Sequence, residues 1–461
     1  MIKFFRNLPT LLKTLNRLSK NQLLHFDNRA KLPISLRILD VICTLFFYPK
    51  GLLIKPKKNI GNRVTDFLQE LGPIYIKLGQ TLSTRPDLIG SDVADSLKYL
   101  QDKLPSFNSK IVKNRITERF GKDTSEIFEE FDDKPVAAAS IAQVHKAHLK
   151  SGEIVAVKAL RPNITKEYER DISFFEYIAQ VIESTLPKTK RLKLKEVIEL
   201  FRQTMKFELD LRQEAAAASR IRDNFLNDHT LHIPKIYWEL TSSDIITLEW
   251  IDGVSIYNKE DIIKLGYHPK EIASKISVIF FNQAYRDGFF HADLHPGNIL
   301  LCKNGKVALL DFGIIGIVPE DDRLAIAEIL YAFLKRDYEL VAKVHKRIGY
   351  IPKDTNLEYF AQSCRAIAEP IVGRPIKDIS IGTLLAQLFK VTEEYGMETQ
   401  TKLLMLQKTM IVVEGIGQTL DKDINMWQLA EPWIKKWAAK NLSPEAKVLR
   451  FVKKFFKTQI L

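Results

Sequence analysis

Hydrophobic positions change their period along the chain, and each change marks an element. Over 163–225 apolar residues recur at helical spacing among charged ones. The same holds over 269–287 and over 321–440, the last broken at Pro352, Pro370 and Pro375. Such a period predicts helices with one buried stripe. Between them lie short alternating runs. Glu153–Leu160, His232–Trp238 and Ile245–Gly253 each read as a strand. Residues 100–135 read as a helix and a loop. Asn298–Leu301 and Lys306–Leu310 flank Asn304-Gly305, a pair that accepts the positive φ of a tight turn, so a hairpin is predicted there.

Composition narrows the class. A 461-residue chain, 46% hydrophobic and 27% charged, is globular and long enough for two to four compact units. The net charge of +13 favours acidic partners: phosphates, nucleic acid or anionic lipid. Cys43, Cys302 and Cys364 are odd in number and far apart, which points to a reducing compartment without disulfides. The N-terminus lacks the apolar core and cleavage site of a secretory signal. No run of 18 apolar residues occurs; Leu36–Ile54 is interrupted by Arg37, Asp40, Pro49 and Lys50, so no spanning helix is expected. Residues 1–60 are basic and aromatic (Phe4, Phe5, Phe46, Phe47, Tyr48), and the tail Lys447–Leu461 sets Val448, Phe451, Val452, Phe455 and Phe456 against Arg450, Lys453, Lys454 and Lys457. Both patterns suit helices lying on an anionic membrane surface. For the N-terminal one, docking on the protein itself is the favoured of the two readings.

The chemistry concentrates in 288–313. The predicted hairpin brings Asp293 and Asn298, which precede it, close to Asp311, which follows it. Three oxygen-bearing side chains then converge, a donor set suited to Mg²⁺. Asp, Asn and Gly also populate ordinary turns, so the ordered set carries the argument rather than any one residue. His291-Ala292-Asp293, Asn298 and Asp311-Phe312-Gly313 resemble the protein-kinase catalytic loop followed by its metal-binding motif. The resemblance makes Asp293 the catalytic carboxylate and Asn298 and Asp311 metal ligands. Ala292 replaces the usual Arg, and His295 stands where most protein kinases place Lys.

Upstream, Val155-Ala156-Val157-Lys158 matches the kinase third strand, whose Lys reaches the α- and β-phosphates. Before it runs Val136-Ala137-Ala138-Ala139-Ser140-Ile141-Ala142-Gln143-Val144, where a kinase has its glycine-rich nucleotide loop. Alanine adds Cβ bulk and restricts φ, so this loop cannot cover phosphates in the usual way. Taken alone, an alanine run also favours helix. No Ala-Pro-Glu follows the Asp-Phe-Gly, so a protein-substrate platform is not expected.

Lys77-Leu78-Gly79-Gln80, followed by Arg85-Pro86-Asp87, resembles the signature of the UbiB family of atypical kinases. An alanine-rich nucleotide loop is similar to that family's. The resemblance covers roughly 60–350 and implies an α+β, protein-kinase-like bilobed fold with an N-terminal helical extension and a helical C-terminal region. It implies that Lys77 and Gln80 meet Glu208 and Asp210 over the active site. It also implies a helix glutamate paired with Lys158, with Glu208 and Glu214 both open for that role. Segments of 1–60, 61–134 (extension), 135–256 (N-lobe), 257–440 (C-lobe) and 441–461 follow. The resemblance further implies ATP or ADP with Mg²⁺, and a role in ubiquinone biosynthesis through pathway enzymes or lipid intermediates. It places the protein at the cytoplasmic face of the inner membrane; the lack of a long apolar run in this sequence makes it peripheral rather than spanning, and nucleic acid is not expected as a partner. A nucleotide-gated scaffold without phosphoryl transfer is the alternative.

Overall fold

The computed structural model describes residues 2–23, 59–83, 89–97, 100, 104–185, 194–372, 387–388, 390–391, 394–396, 400–422, 424 and 426–441. The expectations for Leu36–Ile54, Cys43, Phe46–Tyr48, Arg85-Pro86-Asp87 and the tail from Lys447 lie outside these residues, as do those for the side chains of Phe4 and Phe5. In chain order the described strands are β1 (Phe128–Phe131), β2 (Ala137–Ala138), β3 (Ala142–Leu149), β4 (Ile154–Leu160), β5 (Leu231–His232), β6 (Ile245–Glu249), β7 (Gly253–Ser255), β8 (Phe289–His291), β9 (Ile299–Cys302), β10 (Val307–Leu309) and β11 (Ile315–Ile317). Two compact units emerge, Met1–Gln213 with Tyr237–Trp250, and Glu214–Ile236 with Ile251–Leu461.

The first unit holds an antiparallel sheet in the order β1-β3-β4-β6, with β2 added against β3. The strand expected at Glu153–Leu160 is β4, its Val155, Val157 and Ala159 fully buried. Gly152, at φ +96°, turns β3 into β4. Against this sheet lies the helix Ser109–Phe120, whose Val112 and Ile116 join Phe128, Ala147, Leu149 and Ile245 in one core. Arg119 fastens the same helix through a two-pronged contact with Asp244, at 2.9 and 3.0 Å. Residues 100–135 therefore contribute a strand, β1, besides the expected helix.

The helices Ile60–Leu71, Pro73–Ser83 and Ser91–Leu97 form a separate cluster in the first unit. Gly79 lets them close up. A Cβ there would lie 2.7 Å from Leu68 Cδ1 and 2.4 Å from Leu100 Cδ1. The expected helical stretch 163–225 is three helices, Ile164–Thr185, Leu194–Glu208 and Leu211–Asn224.

The second unit carries a four-stranded sheet, β5-β10-β9-β7, in which β5 alone pairs in parallel, and a two-stranded sheet, β11-β8. The strand expected over His232–Trp238 shrinks to β5 because Pro234 cannot donate to a ladder. The helix expected over 269–287 is α-helical to Phe281, then a π turn over Asn282–Asp287 that ends at Gly288 with φ +65°. Past β11 the unit is helical: Glu320–Leu334, Tyr338–Arg347 and Leu357–Val372 share a core around Phe333, Val341 and Phe360. The helices Thr401–Leu420 and Met426–Asn441 follow. Cys302 and Cys364 are buried thiols.

Candidate functional site

Asn304-Gly305 makes the turn expected of it. Gly305 sits at φ +75°, Lys306 N donates to Asn304 Oδ1 at 3.2 Å, and β9 pairs with β10 from Ile299↔Leu309 to Leu301↔Val307. One residue beyond that register, Leu310 N donates to Asn298 O at 2.8 Å. Asn298 and Asp311 thus leave adjacent strand ends. The β8–β11 pair, His291↔Ile315, with Ala292 N donating to Ile314 O at 3.0 Å, ties the loop that starts at His291 to the far side of Asp311-Phe312-Gly313. Asp293, Asn298 and Asp311 are brought to one end of these paired strands.

His291 is the bolt between the two halves. It is fully buried. Its Nε2–H donates to Leu310 O at 2.9 Å, and its Nδ1 accepts from Asp293 N at 3.1 Å. Burial holds its pKa below the ordinary imidazole value, so the ring is neutral and this pair of bonds fixes its tautomer. Behind it, Gln283 Oε1 in the π turn accepts from His291 N at 2.9 Å. The loop itself is wound on Asp293 O, which accepts from His295 N at 2.7 Å and from Asn298 Nδ2 at 3.2 Å. Asn298 therefore turns its amide oxygen away from that carbonyl. Asp311 adopts φ +55°, uncommon outside glycine, with Oδ1 accepting from Gly313 N at 3.3 Å and the residue exposed. An amide oxygen and an exposed carboxylate fit Mg²⁺, which takes few protein oxygens and completes its shell with phosphates and water. No group of three or more His, Cys, Asp or Glu side chains suited to a metal occurs among the described residues.

In the first unit the alanine stretch is a β-hairpin, not a helix. Ala137 pairs with Val144 and Ala138 with Gln143, and Ala139 N donates to Ala142 O at 2.8 Å across the tip. Ser140 and Ile141 at that tip are buried, and the Ser140 hydroxyl has no hydrogen-bond partner among the described residues. Val136 and Ala137 are exposed. Gln143 is wholly buried and spent internally. It exchanges two bonds with the Phe107 backbone, at 2.9 and 3.1 Å, and its amide nitrogen lies 2.8 Å from His145 Nε2. Lys158, half-buried, stands on β4 opposite Val144 and Ile246.

Lys77 Nζ lies 2.9 Å from Glu208 Oε2, both side chains largely buried. The oxygen lacks hydrogen-bond geometry, so the contact is an ion pair by distance. Asp210 goes elsewhere. It accepts from Arg212 N, Nε and Nη2, and those bonds hold its carboxyl below the usual range. Gln80 is half-buried, its carbonyl accepting from Ser83 Oγ. Glu214 is buried on the helix Leu211–Asn224.

Comparison with known proteins fixes the relationship. Residues 99–345 match the ABC1 atypical kinase-like domain and 364–425 the UbiB helical domain. A probable protein kinase UbiB of Marinobacter nauticus is 40% identical over 90% of this chain and 76% of its own length. That of Azotobacter vinelandii is 38% identical over 90% and 78%. The chain belongs to the ABC1/UbiB family of atypical kinase-like proteins. Its fold is the family's kinase-like mixture of helices and sheets. Rv3197 of Mycobacterium tuberculosis, solved in complex with erythromycin, superposes with a TM-score of 0.50 over 86% of this chain and 97% of that one. At 20% identity that likeness speaks to the fold alone.

Two residues of this UbiB-family chain matter more than their sequence context disclosed. His291 belongs to a recognisable motif, yet its bracing of Leu310 depends on pairing nineteen residues away in sequence. Gln283 gives no local signal at all. Its placement follows from the π turn, which ordinary helical periodicity does not announce.

Proposed function

We propose that this protein binds ATP or ADP with Mg²⁺ and performs phosphoryl transfer or ATP hydrolysis in support of ubiquinone biosynthesis. The observation that carries the reading is the pairing of β8 with β11 and β9 with β10, which delivers Asp293, Asn298 and Asp311 to one end of the strands. Asn298 and Asp311 would hold Mg²⁺, which supplies positive charge to the phosphate oxygens when bound. Asp293 orients the attacking hydroxyl or water and accepts its proton. His291, neutral and doubly bonded, keeps Asp293 and Leu310 from shifting. Lys158 takes the α- and β-phosphates as a point charge. With Glu208 engaged by Lys77, Glu214 is the stronger candidate for steadying Lys158. The buried Ser140 hydroxyl, without a hydrogen-bond partner among the described residues, suits donation to a phosphate oxygen.

The test is ATP turnover by the wild type and by Asp311→Asn. Loss of one metal carboxylate should lower turnover by about 10²–10³-fold or more; equal rates would sink the reading.

A nucleotide-gated scaffold is favoured by one observation, the buried tip of the alanine hairpin. Ubiquinone production that survives Asp293→Asn, with nucleotide still bound, would move the reading there. Partners of either kind are pathway enzymes or lipid intermediates, not nucleic acid. No helix among the described residues is long and apolar enough to cross a membrane. Peripheral attachment to the anionic cytoplasmic face of the inner membrane is proposed on the charge of +13.

A further inference from the structure

The tip of the alanine hairpin is fastened by one side chain. Arg161 follows directly on β4, and its own N–H donates to Ile141 O at 2.7 Å. Its guanidinium then doubles back. Nε and Nη2 both donate to Ala139 O, at 3.2 and 2.8 Å, and Nη2 donates to Pro105 O at 3.0 Å. The same group lies 5.8 Å from the centre of the Phe107 ring. Arg161 therefore joins the hairpin tip to the segment that precedes the helix Ser109–Phe120. A second joint lies at the hairpin base, where Gln143 exchanges its two bonds with the Phe107 backbone. All of these residues belong to the first unit.

The choice of acceptors is informative. An arginine fork matches a carboxylate best. Here the fork's hydrogen-bond acceptors among the described residues are two backbone carbonyls, Ala139 O and Pro105 O, and Glu167 acts only through space. Half-burial without a bonded carboxylate costs desolvation and lowers the guanidinium pKa. Such an arrangement yields positional control in return: a planar group with fixed donors can set the orientation of the Ala139 peptide and its distance from Pro105. Lysine, a single ammonium on a flexible stem, cannot reproduce that geometry.

We propose that Arg161 is the positioning residue of the nucleotide loop, holding the alanine hairpin tucked and coupling it to residues 104–108. This rests on the nucleotide reading given above. Without the clasp the hairpin moves independently of that segment, and nucleotide binding must then order it.

The experiment uses the full chain, comparing wild type, Arg161→Ala, Arg161→Lys, Ala138→Gly and the double variant Arg161→Ala/Ala138→Gly. ATP and ADP affinities, KM and kcat are measured alongside amide exchange of 104–108 and 136–144. Arg161→Ala should speed exchange in both segments together. It should weaken nucleotide binding roughly tenfold, the size of one or two lost charged hydrogen bonds. The loss should fall on KM more than on kcat, and Arg161→Lys should recover part of it. Ala138→Gly should matter less in the Arg161→Ala background than in wild type, because the loop is already loose. A generally destabilised fold would move the melting temperature without that non-additivity. Wild-type affinity and wild-type exchange in Arg161→Lys, or strictly additive effects in the double variant, would overturn the proposal. Should Arg161→Ala fail to fold, Arg161→Lys carries the same test. A wild type that binds no nucleotide would end the nucleotide reading, and the exchange comparison would still decide whether Arg161 joins the two segments.

Discussion

Two hairpins carry the candidate chemistry, and they are built on opposite principles. The β9–β10 hairpin makes its own turn: Gly305 takes φ +75° and Asn304 caps Lys306 from its own side chain. Tertiary contacts only brace it afterwards, Tyr267 Oη reaching Lys303 O and Lys275 Nζ reaching Gly305 O, each at 3.1 Å. The alanine hairpin has no turn residue of that kind. Its tip is held by Arg161, its base by Gln143, and both act through a segment more than thirty residues upstream. The first shape is dictated locally, the second by partners remote in sequence. That difference decides where each can be broken.

The largest effect is expected at the self-made turn. In Gly305→Val a Cβ would fall 2.7 Å from the Tyr267 ring at a backbone angle that β-branched residues avoid. A loss of about 2–4 kcal/mol should appear as a lower midpoint in chemical denaturation. Wild-type stability in that variant would mean the hairpin is set by its bracing, like its counterpart. Next comes His291→Ala, which strands Leu310 O and Asp293 N. Turnover should fall about 10- to 100-fold with nucleotide affinity little changed, since positioning, not binding, is lost.

Acid tests the alanine hairpin without any substitution. His145 on β3 is buried, and burial holds its pKa below 6.5. Its Nδ1–H donates to Asp132 O, so Nε2 accepts from Gln143, whose amide faces it at 2.8 Å. The unfolded chain binds a proton more readily than the folded one in that range. The stabilisation is therefore complete above pH 6.5 and falls away as the pH drops below it. The nearby Asp133 carboxylate, paired with Lys113 at 2.8 Å, offsets part of the loss. Intrinsic-rate-corrected amide exchange should rise in 136–144 between pH 7 and 5; an unchanged rate there would contradict the role given to His145. The smallest effect belongs to Ala138→Gly, a change of a few-fold in ADP or ATP affinity as backbone freedom returns to the loop. Unchanged binding would make the alanines incidental.

What could be read from the sequence follows the same divide. The Asn-Gly hairpin and β4 were predicted within a residue or two, because turn chemistry and alternation are local. The ordered His-Ala-Asp, Asn and Asp-Phe-Gly set marks three oxygen-bearing side chains, and the strand pairing sets them at one end. By contrast, Phe128–Phe131 is too short and too charged to announce itself as a strand, and becomes one against β3. The alanine run has helical propensity yet lies in a ladder, since the tertiary partner β3 outweighs the intrinsic preference. Gln143 reads as part of a nucleotide loop, while its side chain is wholly committed to Phe107 and His145. Lys77 and Glu208 stand 131 positions apart, and only the family resemblance linked them.

The π turn over Asn282–Asp287 has a further consequence. An extra residue in one helical turn advances every later side chain by about 100° around the axis. It works as a phase shifter placed just ahead of β8. Gln283 inside it meets His291 N, and Asn282 at its start accepts from Trp433 Nε1 at 2.8 Å, so the start of the offset is pinned twice. Excising a single residue here, without altering any chemical group of the site, would rotate the strand's point of departure and carry Asp293 off its mark.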